Sequence, residues 1–271
     1  MNINPIDRYS LTFSAGLTKQ MKSDISNCNV RTIENFFAQK GINADFKNNK
    51  VIAWCVLKCC QLINEMNKKY NTNIEMPGTI IAEDFSKLNG FMEEALGATN
   101  FLPCYVYKGK QIVIPEKTVF FNIKNANWNN ADELADKNFE ASISTTDFFL
   151  EIFLHEFMHV WHEDNLLNNL SVENFLKFLR HYDNAETVNI FQKKYMQILS
   201  KICYYASSHP METIACDLSK KFIDCINLQD LNITKKFTDN NPYNKKISSK
   251  NRDEITKNKI LKQIWNGTFF V

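Results

Sequence analysis

Apolar positions along the chain change their spacing twice. From Arg31 to Gln39 they recur with a helical period until Gly41 stops the run. From Lys50 to Tyr70 the residues Ile52, Cys55, Val56, Cys59, Ile63, Met66 and Tyr70 make one stripe of a longer helix, which predicts a core-facing surface. Between Thr72 and Ile123 the helical period gives way to short runs rich in β-branched and aromatic residues: Thr79–Ile81, Cys104–Tyr107, Gln111–Ile114 and Thr118–Phe121. Gly and Pro separate them, which predicts a small sheet with a hairpin at Gly109 and a strand end or sheet edge at Pro115. One more short strand is expected over Phe139–Ile143, and then helices over Thr145–Asp164, Val172–Leu179, Glu186–Ala206 and Pro210–Ile226. Residues 1–30 are polar and aperiodic and are read as a leader of uncertain order. Residues 231–271 are read as a Lys- and Asn-rich tail, mostly loop, whose apolar tip (Ile264, Trp265, Phe269, Phe270, Val271) docks back on the body.

Composition agrees with a helix-dominated α+β chain. The 21 Phe, 9 Tyr and 4 Trp supply a core, whereas 7 Gly and 6 Pro are too few turn residues for a many-stranded barrel or sandwich. The formal charge of +2 makes no electrostatic case for nucleic acid or an acidic membrane. That total hides an asymmetry: residues 231–271 carry nine Lys or Arg against three Asp or Glu, so the first 230 residues are net acidic at −4. Eight cysteines with no C-x-x-C pair argue against a disulfide framework and against a thiolate metal knuckle. The N-terminus has no basic segment followed by an apolar one, and the longest apolar run, Val51–Cys60, is broken by Lys58 and too short to span a bilayer. A cytoplasmic protein without a membrane span is expected.

The chemistry is concentrated in His155-Glu156-Phe157-Met158-His159, an H-E-x-x-H sequence. On a helix His155 and His159 lie one turn apart on one face, so both imidazoles can reach a single cation, while Glu156 is displaced by about 100°. That displacement suits a base better than a ligand. Two imidazoles and one carboxylate around Zn2+ leave a fourth position for water, whose pKa the ion lowers toward about 7, and Glu156 is placed to take its proton. The local sequence supports a helix: Ser144 and Thr145 offer caps, Asp147 stands in a capping-box position, and Phe148, Phe149, Ile152 and Phe153 form a buried side. A third histidine in the metzincin spacing is ruled out, because His162 and Asn165 occupy the positions of its glycine and histidine. His162 lies about 10 Å further along the axis than His155, too far to share one ion. A better third ligand lies in Ser208-His209-Pro210-Met211-Glu212-Thr213-Ile214-Ala215. There Pro210 suits the first turn of a helix, Ser207 or Ser208 its cap, and Ala215 close packing on the first helix.

This pair of elements resembles the gluzincins, zincin metallopeptidases in which H-E-x-x-H on one helix is joined by a glutamate from a second, often as P-x-E-x-x-A. The likeness spans about residues 110–226 within an expected domain over 31–230. It implies a zincin-like α+β fold with a small mixed sheet over the active-site helix, a Zn2+ cofactor held by His155, His159 and Glu212, and Glu156 as catalytic base. It further implies a protein or peptide substrate laid along an edge strand, expected over Thr118–Ile123. The thermolysin-like subset has an aspartate four residues after the ligand glutamate to orient the first histidine. That position is Cys216 here, and Asp217, one residue later, is the nearest candidate for the role. For an oxyanion stabiliser the resemblance suggests Tyr or His; Tyr204, Tyr205, His181 and His209 are available, with His209 and Tyr205 first because they directly precede Glu212. The sequence therefore reads as a zinc metalloendopeptidase. The alternatives are a protease of narrow, regulatory or toxin-like specificity and a zincin-fold binding or structural protein that turns nothing over.

Overall fold

The computed structural model describes residues 19–70, 72–88, 95–99, 117–124, 150–182, 184–203, 205–228, 242–243 and 251–269. Its first layer is helical. Helices α1 (Lys19–Asn27) and α2 (Val30–Ala38) pack on α3 (Lys50–Tyr70). The Asn29 side chain caps α2 by accepting from the Thr32 N–H at 3.1 Å, and Gly41, at φ +75°, lets the chain turn away after it. The α3 stripe read from the sequence is the buried one: Ile52, Cys55, Val56, Cys59 and Ile63 are all sealed from solvent. Of the residues read as a leader, 1–18 lie outside the described ones and Lys19–Asn27 form α1. Met21 and Ile25 of α1 are buried in the same core, but two apolar side chains in nine residues leave no period to read.

The sheet is built from β1 (Asn43–Asp45), β2 (Thr79–Glu83), β3 (Gly97–Thr99) and β4 (Thr118–Asn122), which lie side by side in the order β1-β2-β4-β3. The first three in that order are parallel, and β3 runs antiparallel to β4, with Gly97 opposite Phe121 and Thr99 opposite Val119. The strand at Thr118–Asn122 is therefore interior and not the edge expected of it. It pairs with β2 on one flank and β3 on the other, the face carrying Val119 and Phe121 is fully buried, and β3 takes the edge position among the described residues. The runs at 104–107, 111–114 and 139–143, the hairpin at Gly109 and the capping box at Ser144 lie outside the described residues.

The second half is helical: α4 (Glu151–Asn169), α5 (Val172–Tyr182), α6 (Ala185–Leu199), a 3-10 turn (Tyr205–Ser207) and α7 (Pro210–Leu228). Helix α4 is the hub, touching α3, β3, β4, α5, α7 and the C-terminal helix. Phe153 packs on Phe121 of the sheet at 4.7 Å between ring centres. The helix expected over Glu186–Ala206 stops at Leu199, because the chain turns at Ser200 to bury Ile202, Cys203 and Ala206.

The tail expectation is also corrected. Residues Arg252–Trp265 form a helix, α8, whose Ile260, Leu261, Ile264 and Trp265 are buried against the body. Of the apolar tip, Ile264, Trp265 and Phe269 dock back, and Phe270 and Val271 lie outside the described residues. Trp265 stacks on His162 at 5.3 Å and 12°, and Phe269 meets Phe191 at 5.6 Å. Helix α8 ends in a Schellman motif around Gly267, at φ +69°, with the Thr268 N–H bonded to Gln263 O and the Gly267 N–H to Ile264 O. A Cβ there would also stand 2.6 Å from Leu170 Cδ1. The described chain is thus an α+β protein with a small mixed sheet, and no helix among its described residues is long and apolar enough to cross a membrane.

His162 joins α8 to α4. Its ring is fully buried and Nε2–H donates to Ile264 O at 3.1 Å. Burial depresses its pKa to about 3, against a smaller opposing effect of that hydrogen bond. The unfolded chain protonates His162 near pH 6.5 and the folded chain does not, so this contribution to stability is complete above pH 6.5 and is lost as pH falls toward 3. Glu163 acts oppositely. Burial raises its pKa to about 7 despite Lys117, so the folded state keeps a proton that the unfolded state releases, and stability is lost as pH rises from 4.5 to 7. His162→Gln, which retains an amide donor, isolates the first effect. In urea melts at pH 7.5 and pH 5, wild type should lose about 2 kcal/mol more than the variant on acidification. A wild-type-to-variant difference independent of pH would contradict the assignment.

Candidate metal centre

The functional side chains sit on two crossing helices. Most of the first half of α4 is enclosed: Phe153, Leu154, Phe157, Met158 and Val160 are fully buried, Glu156 and His159 are buried with them, and Ile152 and His155 are half-buried. Helix α7 begins where its sequence dictates. Pro210 occupies the first turn, and the Thr213 hydroxyl donates to Ala206 O and, at 3.1 Å, to His209 O. The cap is neither serine. His209 Nδ1 accepts from the Met211 N–H at 3.1 Å, while the Ser208 hydroxyl donates to Tyr205 O. Ile214, Ala215 and Leu218 then pack without exposed surface, and the small Ala215 brings the first turn of α7 close to α4.

That packing brings three ligand atoms together. His155 Nε2 lies 2.8 Å from Glu212 Oε2, His159 Nε2 3.4 Å from the same oxygen, and the two ring nitrogens 3.1 Å from each other. Two imidazole nitrogens at that distance cannot both present lone pairs, so a proton or a cation must lie between them. A tetrahedral ion bound at about 2.0–2.2 Å sets its ligands about 3.3–3.6 Å apart, close to the separations present. The donor set, two imidazoles and one carboxylate, suits a first-row divalent ion. Among the described residues this is the group of His, Cys, Asp or Glu that could hold one.

Without a metal the site holds a proton. Burial disfavours the imidazolium of His155, but its hydrogen bond to Glu212 and the charge of that carboxylate outweigh burial and raise its pKa to about 9. Burial likewise opposes ionisation of Glu212, yet His159 and His155 hold its carboxyl well below the usual range. Glu156 is raised, chiefly by burial, with the two histidines opposing.

The carboxyl of Glu156 is held by the edge strand. Thr99 Oγ1 lies 2.9 Å from its Oε2 and 3.2 Å from its backbone carbonyl. Gly97 faces the same side chain so closely that a Cβ would lie 2.7 Å from Glu156 Cγ and 2.8 Å from Oε1. Tyr205 stands beside His155, with 6.3 Å between the ring centres. The charge of Glu212 and then burial raise its pKa, so the phenol keeps its proton.

The structure therefore gathers His155, His159, Glu212, Glu156 and Tyr205 in one place. It puts His209 at the helix cap, His162 against Trp265, and His181 on the exposed end of α5. Asp217 points to a different neighbourhood, accepting from the Tyr243 hydroxyl at 2.9 Å and pairing with Lys221. The group facing Nδ1 of His155 is the Cys216 sulfur, at 3.8 Å. Gly97, Thr99 and Cys203 were not legible as site residues: a three-residue strand has no period, and Cys203 stands thirteen positions before Cys216. Comparison of the chain with protein-family models, curated proteins and solved structures finds no match.

A metal must displace the proton held at His155. Because that proton is retained up to about pH 9, Zn2+ titrated into metal-free protein at pH 7.5 should release close to one proton per ion, and apparent affinity should fall about tenfold per unit of acidification below pH 9. Calorimetry in two buffers of different ionisation enthalpy measures this. Glu212→Ala should weaken binding and abolish most of the release; stoichiometric binding without proton release would contradict the assigned ligands.

Proposed function

We propose that the chain is a zinc-dependent metallopeptidase of gluzincin type, acting on protein or peptide substrates as an endopeptidase. One observation carries this reading: His155, His159 and Glu212 converge from two helices on one point, with Glu156 beside it and bound to the edge strand. A zincin-like fold is part of the proposal, supported by the antiparallel edge strand against the H-E-x-x-H helix.

His155, His159 and Glu212 would hold Zn2+, which when bound would supply Lewis acidity toward a water and the scissile carbonyl. The protein's own groups do the rest. With Oε2 engaged by Thr99, Oε1 of Glu156 is the atom available to take the proton of the attacking water and pass it to the leaving amine. Burial suits it to that role, since a carboxylate whose pKa is raised holds a proton better near neutral pH. The Tyr205 phenol, kept protonated by the neighbouring carboxylates, is placed to donate to the developing oxyanion. Strand β3, at the end of the sheet order, takes over the role expected of Thr118–Ile123: an extended substrate adds alongside Gly97–Thr99, which places its backbone next to Glu156.

Glu156→Gln should bind one zinc per chain and lose peptide cleavage by at least about 100-fold, measured by mass spectrometry on a peptide library. Wild-type protein that binds zinc and leaves every peptide intact would instead favour a binding protein on this fold. Gly97→Ala tests the edge-strand contact. Its methyl must displace the Glu156 side chain, so cleavage should fall about 10–100-fold while zinc stoichiometry is unchanged. A Gly97→Ala enzyme of wild-type rate would show that the base does not act from this position.

A further inference from the structure

Behind the first histidine, on the side away from Glu212, lie two thiols that hydrolysis does not use. Cys216 stands one turn after Glu212 on α7, and its Sγ is 3.8 Å from Nδ1 of His155, the ring nitrogen opposite the one that meets Glu212. Cys203, on the segment between α6 and the 3-10 turn, has its Sγ 2.8 Å from that of Cys216. Both residues are buried. The polar groups run in one direction: the Ala206 N–H donates to Cys203 Sγ at 3.2 Å, the Cys203 thiol donates to Cys216 Sγ, and that sulfur faces His155 Nδ1. Among the described cysteines this is the pair whose sulfurs touch, and reaching the about 2.05 Å of a disulfide asks for a movement of less than about 1 Å.

We propose that Cys203 and Cys216 form a reversible oxidation site that sets how firmly His155 is held. A hydroperoxide closes the pair into a disulfide, and a thiol reductant reopens it. The proposal deepens the metal-centre reading and rests on it. In the closing step one sulfur attacks a peroxide oxygen, the O–O bond breaks, and a sulfenic acid and one water result. The second sulfur then attacks the sulfenic sulfur, the S–S bond forms, and the hydroxyl leaves with the remaining thiol proton as a second water. Two thiols lose two electrons and two protons, and the peroxide gains them. The oxidant must pass His155, whose side chain keeps 14% of its exposure, to reach the two buried sulfurs, so the smallest hydroperoxide, hydrogen peroxide, is the one the site takes. Closure removes the Cys203 donor and draws Cys216 Sγ toward Cys203, away from His155 Nδ1. Loss of such a partner behind a ligating histidine lowers metal affinity about 10–100-fold.

The test uses the full chain loaded with zinc, treated with hydrogen peroxide and then with dithiothreitol. Peptide mapping without reduction should show Cys203 linked to Cys216. Zinc transfer to a chromogenic chelator should quicken about 10–100-fold on oxidation and recover on reduction. In Cys203→Ser, which keeps a donor but cannot form the bond, peroxide should leave zinc transfer unchanged. If that variant does not fold, the wild-type map and its reversal decide. A zinc-loaded chain that gives no link, or a link with zinc transfer unaltered, overturns this proposal alone. A chain that carries no zinc before treatment overturns the metal reading, and this proposal with it.

Discussion

Two imidazoles and a carboxylate meet in a largely apolar interior, and the contact between α4 and α7 that brings them together is the constraint on which the site depends. Singly buried, each group would carry a desolvation cost of about 1–3 kcal/mol or more. Together they share one proton or one cation. Tight packing at Ile214, Ala215 and Leu218 fixes the distance between the helices, and Pro210 with the His209 cap fixes where α7 starts and so where Glu212 projects. A shift of one residue in that start would turn the carboxylate away by about 100°.

The other site groups are placed relative to that contact. Strand β3 reaches Glu156 from the sheet side, Tyr205 approaches from the turn before α7, and Cys216 backs His155 from within α7 itself. The far half of α4 anchors α8 instead, with His162 and Asn165 bound to the carbonyls of Ile264 and Trp265. Of the nine basic residues in 231–271, Arg252, Lys257, Lys259 and Lys262 are carried by a docked helix, tied to the body at Lys201–Asp253 over 2.8 Å.

What the sequence made legible follows from which signals have a period or a fixed spacing. The α3 stripe, the strands at Thr79 and Thr118, and the H-E-x-x-H helix each extend over enough residues to show their pattern. Glu212 could be singled out because Pro210 and Ala215 bracket it. The edge strand could not: Gly97–Thr99 is three residues long, and its place in the sheet is set by pairing with β4, a long-range contact. Helix α8 was hidden by its composition, since Lys and Asn on its exposed face outweigh four buried apolar residues. Asp217 and Cys216 are neighbours in sequence but point to different faces of α7, so which one meets His155 is decided by helix phase and by the crossing with α4.

Zinc K-edge absorption on the loaded protein tests the centre most directly, because it reads ligand type without requiring turnover. Two imidazoles with oxygen ligands at about 2.0–2.2 Å, and no sulfur, is the expected coordination, with the oxygen contribution of Glu212 lost in Glu212→Ala. A sulfur shell at about 2.3 Å would contradict it, since Cys203 or Cys216 would then be bound to the metal and not standing behind His155.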